Sequence, residues 1–239
     1  MVNSLTGKTV VIAGGSSGMG LALARKAASE GARVHIVGRS IEKLMAAKGA
    51  IDGDIQTHVA NIGVEADVRR VASEITSVHH LVVTAADLVF KPFDQITDND
   101  INAMLGPKFW GAVYLVRHFA SQLSDDASIT FFSGSAAYKA TSGGSIVAAL
   151  NAALDGLART LALELAPVRV NVVSPGIVES PMWDFLPPAA RSNALASIGA
   201  SLPRGRVGTV NELADAAMFV MGNGFTTGTV LQIDGGTNA

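Results

Sequence analysis

Short runs of apolar and β-branched residues recur along the chain, each followed by a segment in which apolar positions return every three or four residues. The runs at 9–13, 33–37, 56–60, 81–84, 128–132, 169–173 and 230–233 read as strands, several of them apolar on both faces. Strands of that kind alternating with helices predict an α/β fold: a single Rossmann-type, doubly wound parallel sheet of seven strands with helices on both faces. The segment 177–208 breaks the rhythm. It is rich in Pro, carries Met182, Trp183, Phe185 and Leu186 close together, and is long for a connection, so it is expected to be a lid over a substrate.

Composition narrows the classes without changing that picture. The chain has 239 residues, 49% of them hydrophobic and 16% charged, which suits one large core and one domain over 1–239. Its formal net charge is -2 with no block of like charges, so neither nucleic acid nor an anionic membrane is an expected partner. A small-molecule substrate and further copies of the chain are. The absence of Cys excludes disulfides, thiol nucleophiles and thiolate-bound metals. The longest apolar stretch, 154–165, is interrupted by Asp155, Arg159 and Glu164, so no membrane span is predicted. With no signal-peptide order at the N-terminus, a cytoplasmic protein is expected. The pair His79-His80 reads as a solvated strand entry, and His35, His58 and His118 stand isolated, so no metal site is expected.

The first strand runs into Gly14-Gly15-Ser16-Ser17-Gly18-Met19-Gly20 and then into a helical pattern at 21–31. Glycines at 14, 18 and 20, between a strand and a helix start, let backbone approach a pyrophosphate and aim free N–H groups at it. The alternative is a glycine-rich turn with no ligand. The second strand ends Val37-Gly38-Arg39-Ser40. A carboxylate there would suit the ribose hydroxyls of NAD(H), whereas a guanidinium and a hydroxyl suit the 2′-phosphate, so NADP(H) is the expected cofactor. Asn61 and Ile62, just past the third strand, fall where an adenine would rest.

With these motifs, the segment Asn171-Val172-Val173-Ser174-Pro175-Gly176, the turn Arg204-Gly205-Arg206-Val207-Gly208 and the ending Asp234-Gly235-Gly236, the chain resembles the short-chain dehydrogenases/reductases over essentially its whole length. The resemblance implies an NAD(P)-dependent oxidoreductase. It also implies a homotetramer built on helices at 98–123 and 143–166, and a cofactor bordered by Ala85, Ala86, Asn151, Pro175, Gly176, Ile177 and Ser180.

The departures from the family concern its catalytic tetrad. The Asn-Asn-Ala-Gly after the fourth strand reads Val83-Thr84-Ala85-Ala86, the helix Asn reads Lys108, the Ser falls on Gly134 between Ser133 and Ser135, the Tyr on Val147 and the Lys on Asn151. A Tyr whose pKa is lowered by a neighbouring Lys supplies the family's proton, and Val147 cannot. Lys108 is the leading replacement, provided it is desolvated rather than snorkelling outward. Ser133 and Ser135 could hydrogen-bond a substrate oxygen or merely shape a turn. Asn151 could still bind a ribose hydroxyl, and Tyr138 could swing over the cleft or pack. Three readings follow: an oxidoreductase with a rearranged acid, an NADP(H)-binding sensor without turnover, and a lyase or isomerase in the same cleft.

Overall fold

The computed structural model describes residues 5–239; the first four residues of the expected domain lie outside them. The elements run β1 (Thr9–Ala13), α1 (Gly18–Ser29), β2 (Arg33–Gly38), α2 (Ile41–Gly49), β3 (Asp54–Val59), α3 (Glu65–Glu74), β4 (Val78–Val83), α4 (Asp98–Leu105) and α5 (Gly111–Phe119). They continue with β5 (Leu123–Phe132), α6 (Ser145–Glu164), β6 (Arg169–Pro175), β7 (Val178–Glu179), α7 (Pro188–Ala200), β8 (Gly208–Thr209), α8 (Val210–Gly222) and β9 (Val230–Ile233). Seven strands form one sheet in the order β3-β2-β1-β4-β5-β6-β9, every pair parallel. The short strands β7 and β8 form a separate ladder that ties the start of segment 177–208 to its end.

Side-chain alternation sorts the strands into two layers. Val10 and Ile12 of β1 pack toward α1, α2 and α8, while Val11 and Ala13 pack toward α3, α5 and α6. The layers bury Leu23, Leu44 and Leu213 on one face and Phe119, Phe131 and Leu154 on the other. By length and mean hydropathy, 1.4, α6 could cross a membrane despite its charged residues, which the apolar-run count missed. Here its apolar stripe of Leu154, Ala158 and Ala162 covers the sheet.

The seven expected strands are present, with three early starts: β3 begins at Asp54, two residues before its expected bound, and β4 and β5 begin earlier still relative to theirs. β4 takes in His79 and His80, which were expected to precede it in solvent. His79 Nδ1 accepts from the Thr9 N–H at 3.0 Å, and the buried His80 Nδ1 lies 2.8 Å from Ser128 Oγ, so partners inside the sheet allow both rings into the strand. β5 begins at Leu123, where Asp126 pairs with Lys8 at 2.6 Å. The other histidines are not isolated either. His35 Nδ1 is 2.9 Å from His58 Nε2, His58 Nδ1 is 2.8 Å from Glu74 Oε2, and His118 Nε2 is 3.0 Å from Glu65. Burial, with His58 alongside, lowers His35 to about 4 and keeps it neutral.

The expected helix at 98–123 is interrupted. Between α4 and α5, Gly106–Trp110 forms a π-helical turn, and Pro107, lacking an N–H, sits at its start. The extra residue in that turn carries Lys108 into the interior, where it is only 5% exposed.

Candidate active site

A cleft of about 850 Å³ opens over the carboxyl ends of β1, β2, β4, β5 and β6, where a parallel sheet gathers its βα loops. Every cofactor and catalytic position expected from the sequence lines it. At one end stand Gly14, Ser16, Ser17, Gly18, Met19 and Gly20. Gly14 has φ +90°, and a Cβ there would stand 2.6 Å from Thr84 Oγ1 and 2.7 Å from the Ala85 nitrogen. Only glycine closes the turn that tightly. Ser17 is extended, its side chain makes no capping bond, and the first turn of α1 holds no acidic residue. The first N–H groups of α1 are therefore left facing the cleft, an arrangement that fits a phosphate group.

Arg39, Ser40, Asn61 and Ile62 border the same end. Ser40 is the N-cap of α2: its Oγ accepts from the Lys43 N–H at 3.2 Å and donates to Glu42 at 2.7 Å. Its hydroxyl is thus committed locally. Arg39 is bidentate with Asp87, at 2.7 and 3.0 Å. Asn61 Oδ1 accepts from the Gly63 N–H at 3.1 Å, which shapes the turn into α3.

At the other end, Lys108, Ser133, Gly134, Ser135, Val147 and Asn151 come together from the π turn, the end of β5 and the first turns of α6. Lys108 Nζ donates to the Ser133 carbonyl at 3.0 Å. Burial lowers its pKa from 10.5 to about 8, and Asp155 opposes that shift. A Cβ on Gly134 would meet Asn151 Nδ2 at 2.8 Å, so the glycine makes room for the amide. Among the buried atoms without partners, Ser133 Oγ and Asn151 Oδ1 belong to residues that line this end, and Asp155 Oδ1 lies outside the lining. Orphaned polar atoms of this kind in a cleft fit a polar ligand such as the ribose of a dinucleotide. Ala85, Ala86, Pro175, Gly176, Ile177 and Ser180 form the walls between the two ends.

One open alternative is resolved and one sequence expectation is corrected. Tyr138 does not reach over the cleft: it is 47% exposed, and its hydroxyl donates to Asp155 Oδ2 at 2.5 Å. Burial and that bond raise its pKa to about 12, which unsuits it as a tuned acid. In the segment expected to be a lid, Met182 lines the cleft, but Trp183 donates Nε1–H to the Val178 carbonyl at 3.1 Å and stacks on Phe185, which is 75% exposed. Leu186 faces a second cavity of about 730 Å³ beside Arg191. Met182 shares the apolar wall with Leu88, Phe90, Ile198 and Leu202. Ile198 and Leu202 come from the expected segment 177–208, on and just after α7, whereas Leu88 and Phe90, on the loop after β4, had no local signal. Asp155 was missed as a site residue because its position in α6 looked like a mere break in an apolar run.

A parallel sheet with a glycine turn at the switch point between β1 and β4, and a polar cluster beyond it, defines a Rossmann-type α/β domain. Residues 13–238 match the family described as enoyl-(acyl carrier protein) reductase. The chain is 30% identical to a short-chain dehydrogenase/reductase of Stachybotrys chlorohalonatus, with 98% of each chain covered. It is 31% identical to the 3-oxoacyl-[acyl-carrier-protein] reductase of Bos taurus over 96% of this chain and 97% of that one. A small-chain dehydrogenase solved in complex with NADPH has a TM-score of 0.85 and 31% identity, covering 96% of this chain and 97% of its own. The protein belongs to the short-chain dehydrogenase/reductase family, whose members are generally oxidoreductases.

Burial of Lys108 has a signed consequence for stability. With a native-state value near 8 and an unfolded value of 10.5, the folded chain binds fewer protons between those pH values, so its stability rises across the window. The stability of the parent relative to Lys108→Met should therefore increase from pH 8 to 10.5, by up to about 3 kcal/mol. Urea denaturation of both proteins at fixed pH values measures the difference; a difference flat with pH contradicts the assignment.

Proposed function

We propose that this protein is an NADP(H)-dependent oxidoreductase that interconverts a carbonyl and an alcohol on a small molecule, with Lys108 as its proton-bearing group. The observation that carries this reading is a desolvated ammonium in the same cleft as an uncapped glycine turn and a guanidinium. In the family the helix Asn and the Lys stand where Lys108 and Asn151 stand here. The ammonium and the amide have in effect exchanged helices, while the phenol has given way to Val147.

A nicotinamide cofactor bound here would supply or accept the hydride. The first N–H groups of α1 would hold its pyrophosphate, Arg39 would take the 2′-phosphate, and Asn151 Oδ1 would accept from a ribose hydroxyl. Lys108 Nζ has two N–H bonds beyond the one to Ser133 and donates a proton to the substrate oxygen as negative charge develops there. In the oxidising direction the neutral amine takes that proton. The negative field of buried Asp155 favours recharging of the amine, and Tyr138 holds Asp155 by its hydrogen bond. Phe90, Leu88 and Met182 exclude water from the reacting end. A second reading, an NADP(H)-binding sensor without turnover, is favoured by Val147, which bears no proton.

We also propose a cytoplasmic homotetramer. Trp110, stacked on Tyr114 and 43% exposed, and Leu163, 81% exposed, leave apolar surface on the two helices that the family uses for assembly. Light scattering at micromolar concentration should give four chains per particle; a monodisperse monomer contradicts it.

Two further outcomes are expected. By calorimetry, NADPH should bind more tightly than NADH, and Arg39→Ala should weaken NADPH by about 10- to 100-fold. Equal affinities for the two cofactors contradict that preference. In NADPH-consumption assays over a panel of ketones and aldehydes, Lys108→Met should lower kcat by about 10²–10⁴ while Val147→Ala changes little. Tight NADPH binding with no turnover by the parent would favour the sensor.

A further inference from the structure

The ion pair between Arg39 and Asp87 occupies a place that the sequence did not suggest. Arg39 follows β2, and Asp87 lies four residues past the end of β4. In the sheet β1 lies between those strands, so the bridge spans the carboxyl end of β1, across the glycine turn itself. Both oxygens of Asp87 are used, Nη1 donating to Oδ2 at 2.7 Å and Nη2 to Oδ1 at 3.0 Å. Arg39, Asp87 and Lys43 are the charged side chains at this end of the cleft.

Dinucleotide recognition uses opposite charges for its two variants: a carboxylate that accepts from the ribose 2′-hydroxyl, or a guanidinium that grips the 2′-phosphate. This cleft holds both, from opposite sides of the same turn. A phosphate gripped by Arg39 must either displace the Asp87 carboxylate or stand within a few ångströms of it, and like charges so placed oppose each other. A free 2′-hydroxyl meets no such opposition and can donate to Asp87. The bridge is half exposed, its side chains 63% and 36% accessible, so breaking it costs little in itself. The carboxylate acts chiefly through repulsion of the phosphate, with a smaller part from its hold on the guanidinium.

Resting on the proposed NADP(H) reading, we infer that Asp87 is a specificity-determining residue: bridged to Arg39 across the adenosine end of the cleft, it opposes the 2′-phosphate and admits the unphosphorylated cofactor. The protein then discriminates between NADPH and NADH less sharply than Arg39 alone would make it.

The test is calorimetric titration of the full chain with NADPH and with NADH, for the parent, Asp87→Asn, Arg39→Ala and the double variant. Asp87→Asn should tighten NADPH about three- to tenfold and weaken NADH, widening the ratio of the two affinities. In the Arg39→Ala background the gain for NADPH should shrink, because no guanidinium remains to be released. A ratio for Asp87→Asn within twofold of the parent, or shifted toward NADH, overturns the inference, and Asp87→Ala guards against an effect peculiar to the amide. If Arg39→Ala leaves NADPH affinity unchanged, the NADP(H) reading fails as well. If Arg39→Ala weakens NADPH and Asp87→Asn leaves the ratio fixed, only the role of Asp87 fails.

Discussion

Burial of one ammonium group constrains the Lys108 end of the cleft more than any other interaction. A charge removed from water needs acceptors or an opposite charge nearby, or it gives up its proton. Lys108 has one acceptor, the Ser133 carbonyl, and the field of one buried carboxylate, Asp155. That incomplete compensation leaves it near the boundary between charged and neutral around pH 8. Neighbouring features are tied to it. The π turn at Gly106–Trp110 carries the lysine inward, Gly134 lacks the Cβ that would strike Asn151, and Asn151 and Asp155 sit one turn apart on the same buried face of α6.

The parallel sheet supplies the other constraint. All seven strands point the same way, so the loops that follow them meet at one edge, and residues far apart in sequence share one cleft. Charge is distributed unevenly along it. Arg39, Lys43 and Asp87 stand at the glycine-turn end, and Lys108 and Lys139 stand beyond it, with Asp155 exerting its field on Lys108. Tyr138, tied to Asp155 from the surface side, holds the carboxylate and is itself raised to about 12, so it stays neutral.

Much of the fold was legible because parallel strands buried on both faces leave continuous apolar runs, as at Val10, Val11 and Ile12. The polar starts of β4 and β5 were not, since His79, His80 and Asp126 enter those strands only through partners on β1, β5 and Lys8. The break in the helix at 98–123 was signalled by Gly106-Pro107, but a π turn needs one inserted residue and leaves no periodic mark. The glycine turn and Arg39 could be read from local order alone. Asp155, Asp87 and Phe90 could not, because their importance comes from what the topology sets opposite them: a lysine 47 residues away, an arginine across β1, and the mouth of the cleft.

The most direct test of the central claim is an NMR titration of the Lys108 ammonium in the folded chain, assigned by its loss in Lys108→Met. A midpoint near 8, moving lower in Asp155→Asn as the opposing field is removed, is the expected result. A midpoint at the ordinary lysine value of 10.5, indifferent to Asp155, would show a solvated side chain and contradict the account.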